Sequence, residues 1–181
     1  MQSKECEIKM PWGCIKAQIF GNPLEKNATP VLALHGYLDN SNSFKPIAPY
    51  LCNHGYYIIA IDFPGHGFSS KLPDGIPYTP KLFLQSVRRV VKYFDLKNFV
   101  FLSHSYGVLV SLLYDTVFQN ECDAILAIDW IFSTASRKWL DYADYWKEGI
   151  DKYIEFEEKQ MNTTKQSESR QELTPELAAK M

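Results

Sequence analysis

The chain has 181 residues, 46% hydrophobic and 14% aromatic, enough to build one ordered domain around a sizeable core. A formal net charge of −2 supplies no basic surface, which argues against nucleic acid and an anionic membrane as partners. Cys6, Cys14, Cys52 and Cys122 lack C-x-x-C spacing and no His/Cys cluster has zinc-site spacing, so reduced thiols, no metal and no cofactor are expected. The polar start Met1-Gln2-Ser3-Lys4-Glu5 is not a signal peptide, and no apolar stretch is long enough to cross a bilayer. A cytoplasmic location follows as the expectation.

Taken in order, Glu5 to Met10 and Cys14 to Phe20 alternate around Pro11-Trp12-Gly13 and predict an antiparallel hairpin. Four short, continuous apolar runs come next: Val31 to Leu34, Tyr57 to Ile61, Phe99 to Leu102 and Ala124 to Ile128. Such runs read as strands buried on both faces. Helices are predicted over Ser43 to Asn53, Pro80 to Phe94 and Tyr106 to Gln119. In the middle one, Leu84, Val87, Val90, Val91 and Phe94 form the apolar stripe, while Arg88, Arg89 and Lys92 read as a solvated face. Strand alternating with helix implies an α/β fold: a mostly parallel sheet with helices on both faces and its chemistry in the loops after strand C-termini.

Residues 1–132 read as the core, and 133–181 as the start of a helical cap. Within the cap, Trp139, Tyr142, Tyr145, Trp146, Ile150 and Tyr153 read either as a lid or as a surface helix burying its apolar face. Lys159 to Glu172 reads as a polar linker. Thr174 suits an N-cap and Pro175 the first helical position, yet too few residues follow for a stable helix. The expectation is a truncated copy of a longer chain, with C-terminal strands missing.

The most informative stretch is Ser103-His104-Ser105-Tyr106-Gly107, where an apolar run turns into a helix. Small residues two before and two after a serine are what a nucleophile elbow needs, because strand end and helix start nearly touch there. Ser103 stands where that pattern usually has glycine, adding a hydroxyl that must find a partner. Two further loops sit at the same sheet edge: Leu34-His35-Gly36-Tyr37-Leu38-Asp39-Asn40 and Asp62-Phe63-Pro64-Gly65-His66-Gly67-Phe68-Ser69. The order strand-HG, strand-DxxGxGxS, strand-SxSxG resembles the α/β-hydrolase superfamily. The segments MPWGCIKAQIFG, VLALHGYLDNSNSF, YYIIAIDFPGHGFSS and FVFLSHSYGVLVS resemble its serine hydrolase-like branch, over roughly residues 8 to 130.

The resemblance implies an α/β-hydrolase fold in which Ser105 attacks an ester or related acyl carbonyl and forms an acyl-enzyme that water releases. It also implies an oxyanion hole made by the backbone N–H groups of Tyr37 and Tyr106, and a small apolar acyl substrate. Gly36 would let the loop fold close to the reacting carbon. His35 reads as a hydrogen-bonded structural residue, His66 as a loop fastener and His54 as a helix-end residue. His104, within the elbow, points away from the nucleophile. Asp129 reads either as the acid that some relatives place there or as a turn cap.

In this superfamily the chain order is Ser, acid, His, and no histidine follows Ser105. A serine without its base is a weak nucleophile, so the chain as it stands is expected to be nearly inert. Two readings follow: part of a serine hydrolase, or a non-catalytic hydrolase-like binding protein or decayed paralogue. Aspartate-based dehalogenase and epoxide-hydrolase chemistry is disfavoured by Ser105. The terminal Ala179-Lys180-Met181 resembles a weak peroxisomal address, a minor alternative to the cytoplasm.

Overall fold

A computed structural model describes residues 2–25, 27–129 and 143–171. Its strands are β1 (Lys4–Met10), β2 (Gly13–Phe20), β3 (Thr29–Leu34), β4 (Tyr56–Ile61), β5 (Phe99–His104) and β6 (Cys122–Ile128). They form one sheet in the order β1-β2-β4-β3-β5-β6. The hairpin register pairs Met10 with Gly13, so Pro11 and Trp12 make the turn, and β2 also runs antiparallel to β4. β3 pairs in parallel with β4 on one side and with β5 on the other, and β5 with β6. The first crossover leaves β3 in one direction and the later ones in the other. The crevice at the carboxyl ends of β3 and β5 is therefore the topological switch point, where open α/β sheets place ligands.

Three of the four continuous apolar runs are explained by burial on both faces, whereas the fourth, Ala124 to Ile128, is corrected: β6 is an edge strand whose residues are half-buried or exposed. Leu32, Leu34, Ile59, Ile61, Phe99 and Phe101 face one core cluster, whereas Val31, Ala33, Ile58, Ala60 and Leu102 face the other. On the second face lies a helix expected over Ser43 to Asn53, which the structure corrects to two pieces: a 3-10 turn, Ser41–Phe44, and α1, Ala48–Cys52. Pro46 and Pro49 each lack the N–H that an unbroken helix would use, and Pro49 instead sits in the first turn of α1. On the first face lie α2 (Pro80–Tyr93), started by the Thr79 side chain accepting from Leu82 N–H at 3.3 Å, and α3 (Tyr106–Val117). β6 closes the sheet at one edge with Leu126 53% and Ile128 41% exposed, an apolar edge of the kind that invites association.

The expected linker over Lys159 to Glu172 is also corrected, because a single helix, α4, runs Ala143–Gln171. Ile150 and Ile154 are fully buried against α2 and α3, and Trp146 packs beside them. Trp146 and Ile150 follow the surface-helix reading of the apolar stripe, whereas Tyr153 is 50% exposed; Trp139, Tyr142, the side chain of Tyr145 and the 132/133 boundary lie outside the described residues, as does the Thr174 helix start. A polar sequence after an anchored apolar turn continues as helix because its residues, Glu, Lys and Gln, are good helix formers.

The solvated face expected for Arg88, Arg89 and Lys92 holds for Lys92, which is exposed, and is corrected for Arg88 and Arg89, whose side chains are only 11% and 10% exposed. Arg88 as a whole residue is 9% exposed and joins three helices and the approach to β6. Its guanidinium donates to both carboxylate oxygens of Asp151 in α4 at 2.9 and 3.3 Å, to Tyr114 Oη in α3 at 2.9 Å and to Glu121 ahead of β6 at 2.6 Å. Its Cζ lies 4.2 Å over the Phe118 ring. Arg89 pairs with Glu157, and Lys92 lies 3.4 Å from Asp151. Burial opposes ionisation of Asp151, but the Arg88 hydrogen bond and charge outweigh it and hold the carboxyl below its ordinary range. Removing Arg88 strands two partly buried carboxylates, so Arg88→Ala should lower unfolding stability by about 2–3 kcal/mol in urea melts. Lys97→Ala, which removes an ion pair to Asp95 that is 77% and 83% exposed, should leave the midpoint unchanged.

Candidate active site

β5 ends at His104 and α3 begins at Tyr106, so one residue, Ser105, makes the whole turn. It adopts φ 49°, ψ −114°, a left-handed conformation that is costly for a residue with a side chain. The turn is held from both sides: Ser105 N–H donates to Ile128 O of β6 at 3.0 Å, and Ser105 O accepts from Val108 N–H at 2.9 Å. Gly107 lies directly on the end of β3, where any side chain would run into the Leu34 carbonyl. Ser103 is fully buried, and its Oγ has no hydrogen-bond partner among the described residues.

The loop after β3 folds back onto this turn. A Cβ on Gly36 would stand 3.3 Å from Ser105 Cβ and 3.0 Å from His104 Nδ1, so the backbone reaches Ser105 as closely as a glycine allows. The Tyr37 and Tyr106 rings are 6.1 Å apart, and among the described residues neither backbone N–H has a hydrogen-bond partner. The three residues singled out from sequence, Ser105, Tyr37 and Tyr106, are therefore brought together. Asp129 follows β6 at φ 55° with its side chain 77% exposed, and its Oδ2 lies 4.0 Å from His104 Nε2. The other ring nitrogen of His104 lies 3.9 Å from Asp39.

His35 is buried and fully engaged. Nε2 accepts from Phe63 N–H at 3.0 Å, which fixes the proton on Nδ1, and Nδ1–H donates to Gly36 O at 2.7 Å. Burial, the largest influence, pushes this imidazole below the ordinary histidine value. The loop after β4 is organised by Asp62, whose two oxygens accept from Ser41 N–H at 2.7 Å and Phe68 N–H at 2.8 Å. A side chain at Gly67, φ 52°, would collide with that carboxylate. His66 Nδ1 bonds Pro64 O at 2.9 Å, and its ring joins Tyr37, Phe83 and Tyr106 in a chain of aromatic contacts with centroids 5.5 to 6.1 Å apart. A cleft of about 810 Å³ between the hairpin turn and α4 shares no residue with this cluster.

The sheet order and the strand-turn-helix at Ser105 define a class, the α/β hydrolases. Residues 29–180 match the family described as alpha/beta hydrolase fold, and the chain belongs to it. Its relatives place it in the serine hydrolase-like branch. It is 34% identical over 157 residues to the human Serine hydrolase-like protein, covering 86% of this chain and 75% of that protein. Identity to the human Serine hydrolase-like protein 2 is again 34%, over 86% of this chain and 49% of the relative. A crystal structure of a hypothetical protein from Pseudomonas aeruginosa PAO1 superposes with a TM-score of 0.64 at 34% identity, covering 74% of this chain and 46% of that one. The chain spans about half the length of these last two.

Sequence reading missed the Asp62 hub and the double engagement of His35, since both partners lie in loops brought together only by the sheet. The lone hydroxyl at Ser103 pays a desolvation cost without a bond, so Ser103→Ala should raise stability by about 1 kcal/mol in urea melts. His35 gives a pH signature. Its folded value lies below the ordinary 6.5, so its stability contribution is fully present above 6.5. As pH falls below that point the unfolded chain takes the proton first and stability is lost. The urea midpoint should fall as pH drops below 6.5, and replacing His35 with asparagine should flatten that part of the curve.

Proposed function

We propose that this chain carries the serine half of a hydrolase centre acting on an ester or related acyl substrate. In this reading Ser105 Oγ attacks the carbonyl carbon while a base, such as added imidazole, takes its proton; the carbonyl electrons move to oxygen, the N–H groups of Tyr37 and Tyr106 receive that oxyanion, and its collapse expels the alcohol, which carries the proton away. The observation that carries the reading is the turn itself: a costly left-handed serine, facing a glycine loop that brings an unpaired N–H beside it. Strain kept at a half-buried turn is in keeping with a functional demand. The aromatic rings of Tyr37, Phe83 and Tyr106 support a small apolar acyl group. Four thiols free of disulfides are in keeping with the cytoplasm, with the peroxisome as the minor alternative.

No histidine follows Ser105, and His35 has both ring nitrogens engaged, so these 181 residues alone are read as nearly inert. The second reading is a hydrolase-like protein that binds without turning over. Imidazole supplied in solution separates them. It should speed acylation of Ser105 by p-nitrophenyl acetate by about tenfold or more, seen as an added acetyl mass on the intact protein. Ser105→Ala should remove the adduct. Equal labelling of wild type and Ser105→Ala would leave only the binding reading.

A further inference from the structure

We infer that His35 is a positioning residue that aims the Tyr37 N–H at the reacting oxygen through a single peptide plane. The inference rests on the hydrolase reading above and adds to it the device that orients one oxyanion donor. The carbonyl of Gly36 and the N–H of Tyr37 belong to the same rigid trans unit, and in such a unit they point in opposite directions. Whatever holds the carbonyl therefore sets the direction of the N–H. Gly36 O accepts two hydrogen bonds, from His35 Nδ1–H at 2.7 Å and from Asp39 N–H at 3.3 Å. The shorter comes from a side chain that is completely buried and cannot drift.

His35 is anchored at its far end as well. Nε2 accepts from Phe63 N–H, in the loop after β4, so the imidazole is a strut between two loops that otherwise meet only through side chains. The strut works only as the neutral Nδ1–H tautomer, because a proton on Nε2 would face the Phe63 N–H. Burial favours that neutral form. The Phe63 ring, 4.8 Å from the imidazole edge-on, fixes its plane. Hydrogen bonds in series also polarise one another, so a carbonyl that accepts strongly leaves its own peptide N–H a better donor. Gly36 has no side chain to hold this plane off Ser105, and Leu38 at φ 60° turns the loop away immediately after it.

Two substitutions separate the two ends of the strut. An asparagine amide nitrogen stands where Nδ1 stands, keeping the donor to Gly36 O and losing the acceptor for Phe63 N–H. A glutamine oxygen stands where Nε2 stands and does the opposite. In the imidazole-assisted acylation assay, His35→Gln should slow adduct formation by about 10- to 100-fold while His35→Asn stays within about threefold of wild type. Thermal melts of both are recorded beside the rates. The Tyr37 amide nitrogen resonance, read by NMR in the same proteins without substrate, should move in His35→Gln and stay in place in His35→Asn. Rates that track melting temperature in both variants, or two variants alike in rate and in the Tyr37 resonance, would overturn the inference while leaving the hydrolase reading intact. If wild type forms no Ser105 adduct, the hydrolase reading fails, and the Tyr37 resonance alone decides whether His35 orients that peptide. If His35→Gln does not fold, the imidazole nitrogen shifts of the wild type decide: a proton on Nε2 instead of Nδ1 sinks the strut.

Discussion

Helix α3 lies so close to the end of β3 that no side chain fits between Gly107 and the Leu34 carbonyl, and the arrangement of the site depends on this contact. With the helix start pressed onto the strand, the connecting residue has no room for an ordinary turn. Ser105 takes the left-handed conformation, and its N–H is tied to Ile128 of the neighbouring strand. The same closeness brings the β3 loop over the turn, where Gly36 makes the approach. A tight packing constraint between a strand and a helix thus converts into a chemical arrangement: a half-buried serine, a helix N-terminus and a loop peptide at one point. The strain is local, and the two hydrogen bonds flanking Ser105 together with the buried sheet beneath over-determine it.

A different interaction ties down the layer of helices on that face of the sheet. Arg88 joins α2 to α3, α4 and the approach to β6, with its charge answered by Asp151 and Glu121 and its flat face laid on Phe118. A buried arginine of this kind adds less to net stability than its number of bonds suggests, since all the ions had to leave water. What it adds is geometry. A planar fork with fixed directions accepts only one placement of α4 relative to α2, whereas the apolar contacts of Ile150 and Ile154 would tolerate small slides.

The central strands β3, β4 and β5 were legible in the sequence because burial on both faces leaves continuous apolar runs; β6 carries a similar run although it is an exposed edge, and the expected bounds differ from the observed ones by a residue or two. The loops were legible because glycine and small residues stand where backbones crowd. Arg88 was misread through its charge, although its spacing told otherwise: Leu84, Val87, Arg88 and Val91 fall at i, i+3, i+4 and i+7, so the arginine sits within the apolar stripe. Its partners are 26 to 63 residues away in sequence, and no local pattern points to them. The break in the helix over 41–52 was legible in Pro46 and Pro49, each of which removes an N–H that an unbroken helix would use. The helical run past Lys159 was hidden by polarity, which separates buried from exposed segments better than it separates helix from coil.

The histidines show why a motif-level reading of this site needs the backbone to complete it. A general base must keep one ring nitrogen free for the serine proton and use the other for orientation. Here His35, His54 and His66 all direct Nδ1 at a backbone carbonyl, at 2.7, 2.8 and 2.9 Å, and each does so within four residues of itself in sequence. They are fasteners of loops and helix ends, and in His35 the second nitrogen is spent as well. His104 differs, standing between the carboxylates of Asp39 and Asp129, but it occupies the strand end and belongs to the scaffold of the turn. The preorganised dipoles around Ser105 owe nothing to a base, because they arise from peptide planes held by neutral side chains and tight packing. On the proposed reading, oxyanion stabilisation and proton transfer are physically separable: the first would rest on peptides at the strand ends, and the second on an imidazole that His35, with both ring nitrogens engaged, does not supply.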